Sequence, residues 1–162
     1  MGLKIIKGKN HIKATIKKAA YKLIYGKHLR MGKGVTFRRG FTLCIEKEGR
    51  VSIGNDCFFN NYCSVNSLKE VKIGDNCIFG ENVKIYDHNH KFRDKSLPIK
   101  DQGYSSSAVE IGSDCWIGSN VVILKGVKIG SHCVIGANCL IYGDIPENTV
   151  VKNNQNLALE PR

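Results

Sequence analysis

Residues 1–39 contain no aspartate or glutamate, and no Cys-x-x-Cys pair occurs anywhere in the 162 residues. No apolar run comes near the roughly 18 residues that a membrane-crossing helix needs. Lysines interrupt every stretch that could serve as the apolar core of a secretory leader, so neither a transmembrane helix nor a signal peptide is expected. Seven cysteines, an odd number without metal-ligand spacing, argue against a disulfide framework and against a zinc site. They point instead to a reducing, cytoplasmic setting.

What the chain has in abundance is a six-residue rhythm. Large apolar residues recur as Ile53, Phe59, Val65; Ile73, Phe79, Ile85; Ile111, Ile117, Ile123; and Ile129, Ile135, Ile141. Glycine follows many of these anchors directly, as at Gly54, Gly74, Gly112 and Gly130. Four residues after most anchors stands a small or β-branched residue, including Cys57, Cys63, Cys77, Cys115, Cys133 and Cys139. This is neither helical spacing nor simple alternation; it is the repeat of a parallel β-helix, one short strand and one turn per hexapeptide. Three hexapeptides make one turn of a triangular prism, and Met31, Phe37 and Leu43 supply an earlier coil, giving about five. The six cysteines become compact apolar fillers of the core.

Extra residues fall only after the third strand of a coil. The step lengthens from Leu43 to Ile53, from Val65 to Ile73 and, most of all, from Ile85 to Ile111. One corner of the prism therefore collects the insertions, and the long loop 86–110 is where chemistry is expected.

Charge is lopsided. The first 39 residues hold twelve Lys/Arg, the remainder thirteen against fourteen Asp/Glu, so the net charge of +11 belongs to the N-terminal segment. Ile5, Ile6, Ile12, Ile16, Ala19, Ala20, Leu23 and Ile24 recur at helical spacing there, which predicts a basic amphipathic helix over residues 1–30. The favoured reading is a cap, with the apolar stripe packed on the first coil. Peripheral contact with an anionic membrane, at its inner face, stays open beside it. A basic arm also suits nucleic acid, but no recognition motif accompanies it, and no nucleic-acid partner is expected.

Histidine chemistry converges on the insertion. His88 lies three residues after the last anchor before the loop, where a strand ends and a cover begins, and imidazole is the side chain best suited to take a hydroxyl proton near neutrality. His90 is read as a further contact in the loop, His132 as a solvent-facing turn residue, and His11 and His28 as surface residues of the basic arm. Trp116, the only tryptophan, is too bulky for a prism lined by Ile, Val and Cys, so it is expected to face outward and line a groove.

Together the Ile-Gly hexapeptides, Tyr86-Asp87-His88-Asn89-His90, Asp114-Cys115-Trp116-Ile117-Gly118-Ser119 and Ile135-Gly136-Ala137 followed by Asp144-Ile145-Pro146 resemble the hexapeptide-repeat acyltransferases. The galactoside and maltose O-acetyltransferases and the sugar acetyltransferases of surface-polysaccharide clusters are the nearest in kind. The resemblance covers residues 31–151 and leaves 152–162 as a C-terminal tail, expected to be frayed over 157–162. It implies a left-handed β-helix, a homotrimer with acetyl-CoA between neighbouring prisms, and an acetyl group moved to a sugar hydroxyl. It also implies roles: His88 as base, the Ser119 backbone N–H as oxyanion donor, Asn60, Trp116 and His90 toward the acceptor. Gly136 and Ala137 would stand where pantetheine passes, with Lys152 near a CoA phosphate.

The chain departs from that pattern twice. Ser67-Leu68 stands where the galactoside enzymes carry an aspartate pair, and Lys152-Asn153-Asn154-Gln155-Asn156 replaces a Gly-Asn-Pro-Ala segment. Three other readings stand beside it: N-acetylation of an amino sugar, a zinc protein like the γ-class carbonic anhydrases, and a non-catalytic β-helix scaffold. His88, His90 and His132 lack the paired spacing of the zinc enzymes, and no metal is expected.

Overall fold

The computed structural model describes residues 2–46 and 48–154, with side chains from Ala14 onward. The expected tail lies outside the described residues from 155 on. Between them the repeats wind into a left-handed parallel β-helix of about five turns. Its first face stacks Leu29–Met31, Val51–Ile53, Val71–Ile73, Val109–Ile111 and Lys128–Ile129. The second face stacks Thr36–Phe37, Phe58–Phe59, Ile78–Phe79, Trp116–Ile117, Val134–Ile135 and Val150–Val151. The third stacks Thr42–Ile45, Ser64–Ser67, Lys84–Tyr86, Val122–Ile123 and Leu140–Ile141.

Every pairing on the three faces is parallel and in register, so the anchors form vertical columns. Ile53, Ile73, Ile111 and Ile129 lie one above another, as expected from their spacing. Phe59 and Phe79 stack at 4.3 Å with their rings 4° from parallel. Phe41, fully buried, fills a position where other coils carry cysteine or valine, so the first coil has a bulkier aromatic centre.

The turns explain the rest of the repeat. The first and second corners bend through a left-handed residue three places after the anchor: Asp56, Asn76, Asn82, Asp114, Asn120 and Asn138 have φ between 54° and 61°. Asn and Asp tolerate this region better than other side chains. Gly74, just after its anchor, is glycine for a different reason, since a Cβ there would lie 2.7 Å from the backbone carbon of Gly112 in the next coil. The six predicted core cysteines are all buried and unbridged. They do more than fill space. Cys57, Cys77 and Cys115 each donate a thiol hydrogen to a glycine carbonyl of the following coil, at 3.1–3.2 Å. Such weak donors serve corner carbonyls that retain an unused lone pair.

The N-terminal helix, α1 (Gly2–Tyr25), does cap the first coil, but through the opposite face from the one expected. Ala14 is buried, and Lys17, Lys18, Tyr21 and Tyr25 point to the prism. The ammonium of Lys18 donates to the Gly32 carbonyl at 2.7 Å, the Tyr25 hydroxyl to that of Leu43 at 2.8 Å, and Lys17 and Tyr21 to that of Phe41. The first coil has no strand before it, so its edge carbonyls need donors, and side chains of α1 supply them. Ile16, Ala19, Ala20, Leu23 and Ile24 consequently face away from the prism, exposed. The side chains of Ile5, Ile6 and Ile12 fall outside the described residues.

Candidate active site

Lys84–Tyr86 ends at the third corner, and the insertion begins there. It is an ordered hairpin rather than an open loop: His88–His90 pairs antiparallel with Tyr104–Ser106, and Ile99–Asp101 forms a short 3-10 turn. Gln102 ties the intervening segment together, donating to the carbonyls of Asp94 and Leu97. Phe92, Leu97 and Ile99 nevertheless stay exposed on it. An open cavity of about 730 Å³ lies beside the hairpin, bordered by His90, Phe92, Arg93, Leu97 and Lys125.

At the root of the hairpin sits Asp87, whose carboxylate is fully buried. One oxygen lies 2.9 Å from His88 Nδ1 and accepts from the Leu68 amide at 2.8 Å. The other accepts from the Lys69 amide at 2.8 Å and from the Ser67 hydroxyl at 2.8 Å. Burial alone would raise this carboxyl's pKa. The hydrogen bonds from Leu68, His88, Lys69 and Ser67 outweigh it, and the group sits below the ordinary carboxylate value. An ionised carboxylate can only accept, so His88 must carry its hydrogen on Nδ1. That leaves Nε2 with a free lone pair. The ring is held edge-on to Tyr104, with centroids 5.4 Å apart, and four-fifths of the side chain is covered. The sequence motifs include Asp87 and Ser67 without pointing to a part for them in the chemistry. Their signal was available: each stands two residues after a third-strand anchor, so the register stacks them directly.

His90 projects from the same hairpin, exposed, its ring 4.4 Å from that of Tyr104. His132 is the solvent-facing turn residue expected, at φ 60° and 3.0 Å from Asp114, at the first corner. Among the described residues no three His, Cys, Asp or Glu side chains are grouped to hold a metal ion.

The other expected site residues do not converge on His88 within one chain. Asn60, Ser119, Gly136, Ala137 and Lys152 all lie along the second corner, a full face away from the third. Asn60 is not in a left-handed turn; its side-chain Oδ1 accepts from Arg38 and from the Asn61 amide. Along the corners, the amides of Asp75, Glu81 and Ser113 each donate to a serine hydroxyl of the next coil. The Ser119 amide has Ala137 at the equivalent place, whose methyl group cannot accept. Among the described residues no acceptor takes that N–H. Trp116 faces outward from the second face, 54% exposed, in a row with Phe58, Ile78, Val134 and Val150. That row gives the second face an apolar exterior, whereas the first presents Arg30, Ser52, Lys72, Glu110 and Lys128.

Comparison with known proteins agrees with the fold and its repeat. Residues 108–143 match the family model described as bacterial transferase hexapeptide (six repeats). The putative lipopolysaccharide biosynthesis O-acetyl transferase WbbJ of Escherichia coli K12 is 36% identical over 127 residues, covering 73% of this chain and 65% of WbbJ. The maltose O-acetyltransferase structure from Clostridium difficile 630 superposes with a TM-score of 0.60 at 31% identity, covering 76% of this chain and 61% of that one. A galactoside acetyltransferase in complex with coenzyme A gives 0.64 at 30% identity, over 75% and 60% of the two chains. The coils thus define a hexapeptide-repeat protein. The repeats of residues 108–143 are those of the bacterial transferase hexapeptide family. It spans less than two thirds of the length of the curated relatives it matches.

Proposed function

We propose that the chain is an acetyl-CoA-dependent O-acetyltransferase acting on a sugar hydroxyl, with His88 as general base. The observation that carries this reading is the buried Asp87 carboxylate, which fixes the His88 tautomer and leaves Nε2 free to accept a proton. Nε2 takes the hydroxyl proton as the hydroxyl oxygen attacks the thioester carbonyl. The unclaimed Ser119 N–H suits the oxyanion of the resulting tetrahedral species. Collapse breaks the C–S bond, and the CoA thiolate recovers the proton from His88. Ester and thiol leave.

His88 and the second-corner column are a face apart, so the site needs two copies: the third corner of one beside the second corner of another. The apolar row of Phe58, Ile78, Trp116 and Val134 and the bare apolar residues of the hairpin support such packing. The homotrimer implied by the family resemblance would supply it. CoA would then pass along Gly136 and Ala137, toward Lys152. Ser67 is bound to Asp87 and is not free to hold the acceptor, which supports a sugar different from that of the galactoside enzymes. The kinship with WbbJ favours a glycan of the cell surface. The test is a panel of sugars and oligosaccharides with labelled acetyl-CoA. Transfer to at least one hydroxyl acceptor is expected, and His88→Ala should lower kcat by about 10²–10⁴-fold while CoA affinity holds. Full activity in His88→Ala would remove the mechanism.

A further inference from the structure

The outward face of α1 takes no part in the proposed acetyl transfer. Ile16, Leu23 and Ile24 are 66%, 88% and 68% exposed, with Ala19 and Ala20 between them. Positions 16, 20, 23 and 24 share one side of a helix, so these residues form a continuous stripe rather than scattered contacts. The opposite side is fully engaged, because Lys17, Lys18, Tyr21 and Tyr25 donate to carbonyls of the first coil. The helix therefore cannot roll to bury the stripe without stripping donors from that edge.

Charge decides what the stripe fits. Lys22 and Lys27 are exposed beside it, and the coil that α1 caps adds exposed Arg30, Lys33, Arg38 and Arg39. The first 39 residues include no acid to offset them. A second copy docking here would bring the same cations against each other. An anionic bilayer offers the complement on both counts, an apolar interior for the stripe and negative headgroups for the surrounding cations. Among the described residues no helix is long and apolar enough to cross a membrane, so the helix would lie on the surface.

We infer that α1 docks the protein onto an anionic lipid surface, with Ile16, Leu23 and Ile24 inserted and Lys22, Lys27 and the first-coil cations at the headgroups. The capped end of the prism then faces the bilayer, and the candidate active site stands away from the membrane on the side walls. This does not depend on the acetyl-transfer reading.

The full chain should be co-sedimented with vesicles of phosphatidylcholine alone and with about one quarter phosphatidylglycerol. Binding should be at least about tenfold stronger to the anionic vesicles and should weaken as salt is raised. An Ile16→Glu/Leu23→Glu variant should lose about tenfold or more of that binding with an unchanged melting temperature, since both side chains are already in water. Equal binding by the variant, or no binding by the wild type, would overturn the inference. So would a lower sedimentation mass in the variant, because the stripe would then be holding a second copy.

Discussion

The Ser67 hydroxyl and the Asp87 carboxylate meet 2.8 Å apart inside the third corner, and through Asp87 that contact reaches the Nδ1 of His88. The side chain that stands where the galactoside enzymes carry an aspartate pair is here committed to holding an acid. The consequence is a histidine whose tautomer is set by the protein interior rather than by the acceptor.

Asp87→Asn should therefore be far more damaging than its size suggests. The amide retains the shape, but its NH₂ would confront the Leu68 and Lys69 amides or release the ring of His88. We expect kcat to fall about 100-fold or more, with CoA affinity unchanged and the pH–rate profile displaced. Stability should drop by about 1–3 kcal/mol from the unpaired donors, read by urea denaturation. A normal pH–rate profile in this variant would separate Asp87 from the chemistry.

The same carboxylate should leave a mark on acid stability. Its pKa is lower in the folded chain than the ordinary 3.8, so the folded state binds the proton less readily than the unfolded one. Its contribution is present above that ordinary value and is lost as pH falls through the depressed folded value. Denaturation midpoints measured from pH 7 downward should decline below about pH 4 in the wild type, and Asp87→Asn should show a shallower decline there. Asp94 is also shifted downward, by Ser96, but it is fully in solvent and should contribute nothing visible.

Thiol reactivity tests the core assignment. Of the seven cysteines only Cys44 is partly exposed. It should be the single thiol labelled by a bulky reagent in the native protein, and slowly, because burial and the nearby Glu46 push its pKa up. The other six should react only on unfolding. Fast modification of two or more would mean that the corner ladder is open.

Much of this is legible in the amino-acid sequence. The six-residue step gave the coils, the register and the inward cysteines because each depends on local geometry repeated in sequence. The place of His88 at the root of the insertion was legible because the insertion is visible as a break in that step. The direction faced by α1 was not. Periodicity reports that a helix has an apolar stripe, but the first coil has unpaired carbonyls at its edge, and lysine and tyrosine donors satisfy them where isoleucine cannot. Asp87 is less conspicuous, because an acid beside a histidine looks like a surface pair until the register places Ser67 directly against it.

The site proposed between two corners makes the sharpest prediction. His88→Ala removes the base from the third corner, and Ala137→Trp should obstruct the second, at an exposed position where the fold can accept the bulk. Each variant alone should be inactive. If the site lies between copies, unfolding the two together in equal amounts and refolding them will place some intact His88 residues beside some intact second corners. Half of the copies carry each defect, so about one quarter of the sites should recover in a closed ring of random composition. Acetyl transfer near that level, against none from the separately refolded variants, is the expected result. No recovery, with mixed assemblies demonstrated by mass, would mean that one chain holds the whole site and that the arrangement proposed across subunits is wrong.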